Sequence, residues 1–123
     1  MAKTDEVGKW GEELAVELLV SKGYAITERN WKLNKLEIDI IAMRGTRIVF
    51  VEVKTRTSAE DDPLDAVDKK KISNVVNAAH FYIVSRNIVQ EPQYDVITIT
   101  GMPGNYHIEH IEDAFYAPLR TRY

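Results

Sequence analysis

Two acids and an amine, Asp39, Glu52 and Lys54, stand out in this chain as groups able to bind a cation or handle a proton. They sit in two short apolar runs, Leu36-Glu37-Ile38-Asp39-Ile40-Ile41-Ala42 and Ile48-Val49-Phe50-Val51-Glu52-Val53-Lys54. Between the runs, Gly45 is suited to the positive φ of a tight turn. A two-residue loop at Gly45-Thr46 sets Arg44 across from Arg47, which carries Asp39 opposite Glu52 and Glu37 opposite Lys54. Directly opposed residues lie roughly 4.5–5.5 Å apart, so one cation could meet both carboxylates. Two acids at the mouth of an apolar sheet are costly unless something compensates them. A divalent metal would do so, with Lys54 beside it. The competing reading is an ion-pair cluster at a sheet end, in which Lys54 and the three acids neutralise one another.

The elements that must position these groups can be read from periodicity. A side-chain period of two puts Ile38, Ile40, Ala42, Val49, Val51 and Val53 on one face of the hairpin. Ile41, Met43, Ile48 and Phe50 fall on the other, followed by Asp39, Glu52, Glu37 and Lys54. Apolar side chains on both faces point to a strand pair inside a covered sheet.

Before the hairpin, a helix is expected over Asp5–Lys22, with Thr4 as N-cap and Gly23 as its stop. Val7, Trp10, Leu14, Ala15 and Leu18 form its apolar stripe. Glu12 falls at the edge of that stripe, one turn after Gly8, where a missing Cβ allows close approach. Tyr24–Trp31 reads as a first strand. After the hairpin, Thr55–Pro63 reads as a polar loop and Leu64–Ser85 as a second helix burying Val67, Ile72, Val75, Val76, Ala79 and Ile83. Lys69, Lys70 and Lys71 lie in its first turns, against the helix dipole. Gln93–Thr100 gives a fourth strand, joined to the third by a right-handed parallel crossover, and Tyr106–Ile111 a short fifth. The class is α/β: helix, three strands, helix, strand, strand.

Composition bounds the function. The chain has 123 residues, which suits one domain over 1–123. Its hydrophobic content of 45% and charged content of 28% are those of a soluble globular protein. There is no cysteine, which excludes disulfides, thiolate-bound zinc and a cysteine nucleophile. No apolar run approaches a membrane span, and the start lacks a signal-peptide core, so a cytoplasmic location without membrane contact is expected. The net charge of −3 does not advertise a nucleic-acid binder. Its distribution matters more: Arg44, Arg47, Lys54 and Arg56 surround the hairpin, with Lys32 and Lys35 before it.

Helix, three strands, helix, strand, with Asp39 on the second strand and Glu52-x-Lys54 on the third, resembles the PD-(D/E)xK nuclease superfamily. More closely, the chain resembles the bacterial YraN family of small endonuclease-like proteins, related to archaeal Holliday-junction resolvases. The resemblance is carried by Gly8-Lys9-Trp10-Gly11-Glu12 with Ala15, Gly23-Tyr24, Arg29-Asn30-Trp31, Glu37-Ile38-Asp39-Ile40-Ile41-Ala42, Phe50-Val51-Glu52-Val53-Lys54-Thr55-Arg56, Lys71 with Ala78-Ala79, Asp95-Val96, and Ile108-Glu109-His110-Ile111 through Ala114-Phe115. It implies a restriction-endonuclease-like fold with a mixed central sheet flanked by helices.

The same resemblance implies that Asp39, Glu52 and the Val53 carbonyl hold Mg²⁺ or Mn²⁺, with Glu12 adding a ligand or fixing a second ion. Lys54 would orient the attacking water and meet the charge building on the phosphate. Lys71, Arg56 and Lys69 would contact nucleic acid, DNA being the expected form, and Glu37 would tune or pair Lys54. The implied activity is metal-dependent hydrolysis of DNA phosphodiesters, with branched or junction DNA and a homodimer within its range. A non-catalytic nucleic-acid-binding domain that kept the fold is the alternative. Two positions depart from the family pattern: Leu36 stands where a Gly is usual, and Gln93 where an Arg is usual. Both departures bear on how nucleic acid is held.

Overall fold

The computed structural model describes residues 3–58 and 68–116, whose elements follow the expected order. They are α1 (Lys3–Ser21), β1 (Ala25–Leu33), β2 (Leu36–Arg44), β3 (Arg47–Arg56), α2 (Lys69–Ser85), β4 (Glu91–Met102) and β5 (Asn105–Phe115). The five strands form one mixed sheet in sequence order, antiparallel except for the parallel pair β3–β4. One helix covers each face. Ala15 and Leu19 of α1 pack with Ile40, Ala42, Val49, Val51, Ile97 and Ile99. On the other face, Val75, Ala78, Ala79 and Tyr82 of α2 pack with Ile41, Ile48, Phe50 and Tyr94. Burial on both faces accounts for the apolar character of both sides of the hairpin. Among the described residues no helix is long and apolar enough to cross a membrane.

Element boundaries moved for identifiable reasons. The first helix begins at Lys3, so Thr4 stands inside it rather than capping it. It ends as expected: Gly23 adopts φ 93°, and the Tyr24 N–H reaches back to the Leu19 carbonyl at 2.9 Å. Helix α2 starts at Lys69, because Asp68 is extended and accepts from the Lys71 N–H at 2.9 Å as its N-cap. The expected first turn from Leu64, including Val67, lies outside the described residues. Thr55 and Arg56 extend β3 instead of opening a loop.

The hairpin register is the one that Gly45 implies, with Arg44 across from Arg47 and Ile40 across from Val51. There the β2–β3 ladder stops, one step short of Asp39 and Glu52. Pairing of β1 with β2 continues to Leu33–Leu36, and of β3 with β4 to Arg56–Thr100. The sheet therefore divides beyond Ile40 and Val51 into two arms, with a notch between them.

The notch also breaks the side-chain alternation. Between the pairs Arg29–Ile40 and Trp31–Ile38, Asn30 and Asp39 take no part in the ladder, and Asn30 sits at φ 53°. Ile38, expected on the same face as Ile40, instead packs on the α2 side with Ile41 and Phe50. A regular period of two does not survive an unpaired residue in the strand.

Candidate active site

Asp39 lies at the point where the arms part. Its Oδ2 accepts the Val53 N–H at 2.8 Å, so the side chain reaches across to β3 where the backbone ladder has ended. Two adjoining cavities, of about 870 and 410 Å³, share Asp39, Val53 and Lys54 as their common wall. The larger opens towards the start of α1, with Gly8, Lys9 and Glu12, and towards the β1–β2 arm, with Asn30, Lys32 and Glu37. The smaller opens towards the start of α2, where Asp68 and Lys71 face Glu52.

Helix α1 comes this close to the notch because Gly11 allows it. A Cβ on Gly11 would collide with the Thr55 side chain, next to Lys54. Gly8, expected to be the point of close approach, has nothing near its missing Cβ and simply opens the wall of the larger cavity.

The carboxylates are poorly compensated. Burial, then the neighbouring Glu52, push Asp39 up to about 7, against the pull of the Val53 N–H. Burial likewise holds Glu52 above its ordinary range, although Lys71 pulls it down. Lys71 Nζ lies 2.8 Å from Glu52 Oε2. Glu52 Oε1 is buried and has no hydrogen-bond partner among the described residues. Such an atom is expensive to leave unpaired. Burial weighs against the Lys71 ammonium, but its hydrogen bond to Glu52 and the charges of Glu52 and Asp39 outweigh that and raise it.

The other candidate residues divide by position. Lys54 is exposed on the shared wall and forms no ion pair or hydrogen bond with a described residue, while its charge still acts on Glu52. Glu12 lines the larger cavity, its Oε1 held by Asn30 Nδ2 at 2.8 Å and by Arg29 at 3.5 Å. Glu37 sits across from Lys32 of β1 and not from Lys54. Arg56 Nε hydrogen-bonds Thr100 Oγ1 at 3.4 Å, and neither Arg56 nor Lys69 lines either cavity. Arg44 and Arg47, at the turn, pair with Glu112, Glu91 and Asp113 at the other end of the hairpin. Leu36 packs in the α2-side core, and Gln93 is buried against Asp95, so neither family departure falls on the cavity walls.

Four contributors to the cavity walls had no place at the site in the sequence pattern. Asp68 was legible as an N-cap, a short acid directly before a helical run. Lys9 and Lys32 carried no local signal, since only the fold brings them to one wall. Asn30 carried one only by composition, because Asn tolerates the left-handed region.

The residues fit a hard divalent cation. Asp39 and the unpartnered Glu52 Oε1 are oxygen donors of the kind Mg²⁺ and Mn²⁺ prefer. Among the described residues no cluster of three Asp, Glu or His side chains is poised to share one ion. A cation here would draw on two carboxylates and the backbone and keep several of its waters.

A divided mixed sheet with under-compensated carboxylates in the division and lysines on its walls defines an α/β protein with an anionic-floored, basic-rimmed cleft. The family profile described as "Uncharacterised protein family UPF0102" matches residues 11–99. The chain belongs to this family, the group that the YraN resemblance indicated. It is 44% identical over 117 residues to UPF0102 protein FP2501 of Flavobacterium psychrophilum, covering 94% of this chain and 98% of that one. A UPF0102 protein of Bacteroides thetaiotaomicron is 43% identical over 120 residues, covering 97% and 99%. One of Parabacteroides distasonis is 42% identical over 123 residues, covering 98% and 100%.

Proposed function

We propose that this protein is a metal-dependent nuclease of restriction-endonuclease-like fold that hydrolyses DNA phosphodiester bonds, with branched or junction DNA as candidate substrates. The observation that carries this reading is the pair Asp39 and Glu52, raised acids at a break in the sheet, where, among the described residues, one Glu52 oxygen has no partner and the neighbouring Lys54 is unpaired. Asp39, Glu52 and the Val53 backbone would hold Mg²⁺ or Mn²⁺, with Glu12 positioned across the larger cavity. The ion would supply Lewis-acid stabilisation of charge on the phosphate and a more acidic water. Lys54, without an ion pair or hydrogen bond to any described residue, orients the attacking water and meets negative charge as it develops. Lys9 and Lys32 line the approach to the notch and offer charge to a phosphate backbone.

A specific observation favours a second reading. Lys71 already neutralises part of Glu52 without any metal, as it would in a nucleic-acid-binding domain that does no chemistry. The two are separated by incubating the purified protein with single-stranded, duplex and four-way-junction DNA in Mg²⁺, Mn²⁺ or EDTA. The nuclease reading expects metal-dependent cleavage that EDTA abolishes and that Asp39→Asn lacks. Binding without cleavage under all conditions selects the second reading.

A further inference from the structure

We infer that Lys71 is a tethered counter-ion that occupies the acid pair until a divalent cation displaces it, so that its ammonium competes with the cation for Glu52. The inference rests on the reading of the notch as a divalent-cation site, and it assigns Lys71 a place in the loading of that site.

Three features support it. First, Lys71 is the only described lysine within ion-pair distance of either notch carboxylate, at 2.8 Å from Glu52 Oε2, and it leaves Oε1 bare. One ammonium therefore serves one oxygen of a buried carboxylate and leaves the other without a donor among the described residues. Second, the lysine is poised to leave. Its side chain is 45% exposed while that of Glu52 is 9% exposed, so the acid is fixed in the wall and the lysine reaches in from solvent. Lys71 belongs to the first turn of α2, where the dipole disfavours a cation. The Asp68 cap that anchors this turn binds the Lys71 backbone N–H and leaves the side chain unrestrained. Third, a divalent ion shared by Asp39 and Glu52 would stand on the same carboxylate as the ammonium. Two like charges a few ångströms apart in a half-buried cleft repel strongly.

The consequence runs against ordinary expectation. Deleting a lysine from an acidic cleft usually weakens the structure; here it should also tighten cation binding. The test measures Mn²⁺ affinity by the electron paramagnetic resonance of the free ion, without nucleic acid, for wild type, Lys71→Met, Lys71→Arg and Asp39→Asn. Lys71→Met is expected to bind Mn²⁺ about tenfold more tightly than wild type, the scale of removing one nearby like charge. Lys71→Arg, which keeps the charge, should bind no more tightly than wild type. Circular dichroism checks that each variant is folded. Should Lys71→Met not fold, Lys71→Gln keeps a hydrogen-bond donor to Glu52 without the charge, and the same gain is expected of it.

Binding that Asp39→Asn abolishes, with Lys71→Met equal to or weaker than wild type, overturns the role given to Lys71 and leaves the cation site standing. A gain in Lys71→Arg as large as in Lys71→Met would also overturn it, since charge would then not be the cause. Absence of Asp39-dependent binding in every variant removes the cation site itself, and the inference with it.

Discussion

Asp95 and Asp39 are both acids set into the same sheet, and the protein treats them in opposite ways. Asp95, on β4, is fully buried and accepts from Gln93 Nε2 at 2.9 Å, the Asp113 N–H at 3.1 Å and the Tyr24 hydroxyl at 3.2 Å. His110 Nε2 completes the set at 2.8 Å, while its Nδ1 faces Lys22 Nζ at 2.8 Å. That pattern places the ring proton on Nε2, so the imidazole donates to Asp95 and accepts from the lysine. Burial pushes Asp95 up, yet the bonds from His110, Gln93 and Asp113 outweigh it and hold the group below the ordinary carboxylate range. Asp39 has one backbone donor and a neighbouring acid, and rises to about 7.

The contrast separates structure from function within one strand layer. Asp95 shows that this fold can bury a carboxylate and satisfy it from four sides. Its bonds also pin the irregular stretch between the Tyr94–Phe115 and Val96–Ile111 pairs, where Asp113 adopts φ 52°. The notch carboxylates are left short of donors although the chain had the means to supply them. A shortage of this kind, at a cleft, is what the proposed cation site would require.

The comparison can be broken in three ways, the largest effect first. Lys54→Ala should cut metal-dependent DNA cleavage roughly 10²-fold or more, the scale of losing one electrostatic stabiliser. DNA affinity, measured by fluorescence anisotropy, should change only modestly, because one phosphate contact is a small share of the interface. Unchanged cleavage in a carefully purified variant would mean the chemistry lies elsewhere.

Stability should divide the two acids. Asp95→Ala leaves buried donors without their acceptor and should cost about 3–5 kcal/mol in urea unfolding at neutral pH. Glu52→Gln removes a charge that is already under-compensated and should stay within about 1 kcal/mol of wild type. Equal losses would erase the distinction drawn here.

The smallest effect is in pH. A carboxyl raised from 3.8 to about 7 keeps its proton in the folded chain after the unfolded chain has lost it. Between those values the folded state binds more protons, so stability falls as pH rises through that window. Glu52, also raised, acts in the same direction. Asp39→Asn should therefore gain on wild type as pH rises, by roughly 5 °C in Tm at pH 8 relative to pH 5. Parallel melting curves for the two proteins across that range would show that Asp39 is not strained by its surroundings.

The parts of this arrangement that were legible in the sequence depend on local rules. Gly45 fixed the hairpin register, Gly23 ended α1, and the apolar runs of β2 and β3 announced a sheet covered on both faces. What escaped depends on contacts between distant segments or on broken regularity. Ile38 was assigned to the wrong face because alternation assumes an unbroken ladder, and the ladder fails at Asn30 and Asp39. Asp68, expected inside α2, instead caps it, a role that helical spacing alone does not reveal. No local pattern sets Lys71 against Glu52, because the two are brought together only by the fold. The Asp95 network draws on the turn between α1 and β1 and on β4 and β5, so Asp95 alone carried no sign of its partners.

The central claim is that the notch acids are kept unsatisfied for a divalent cation, and thermal unfolding tests it most directly. Wild type, Asp39→Asn and Asp95→Asn are melted with Mn²⁺, with Mg²⁺ and with EDTA. An ion that binds only the folded state raises Tm by mass action. The account predicts a rise in wild type, an equal rise in Asp95→Asn from its lower starting point, and none in Asp39→Asn. A rise of the same size in Asp39→Asn, or no rise in wild type at millimolar metal, would contradict it.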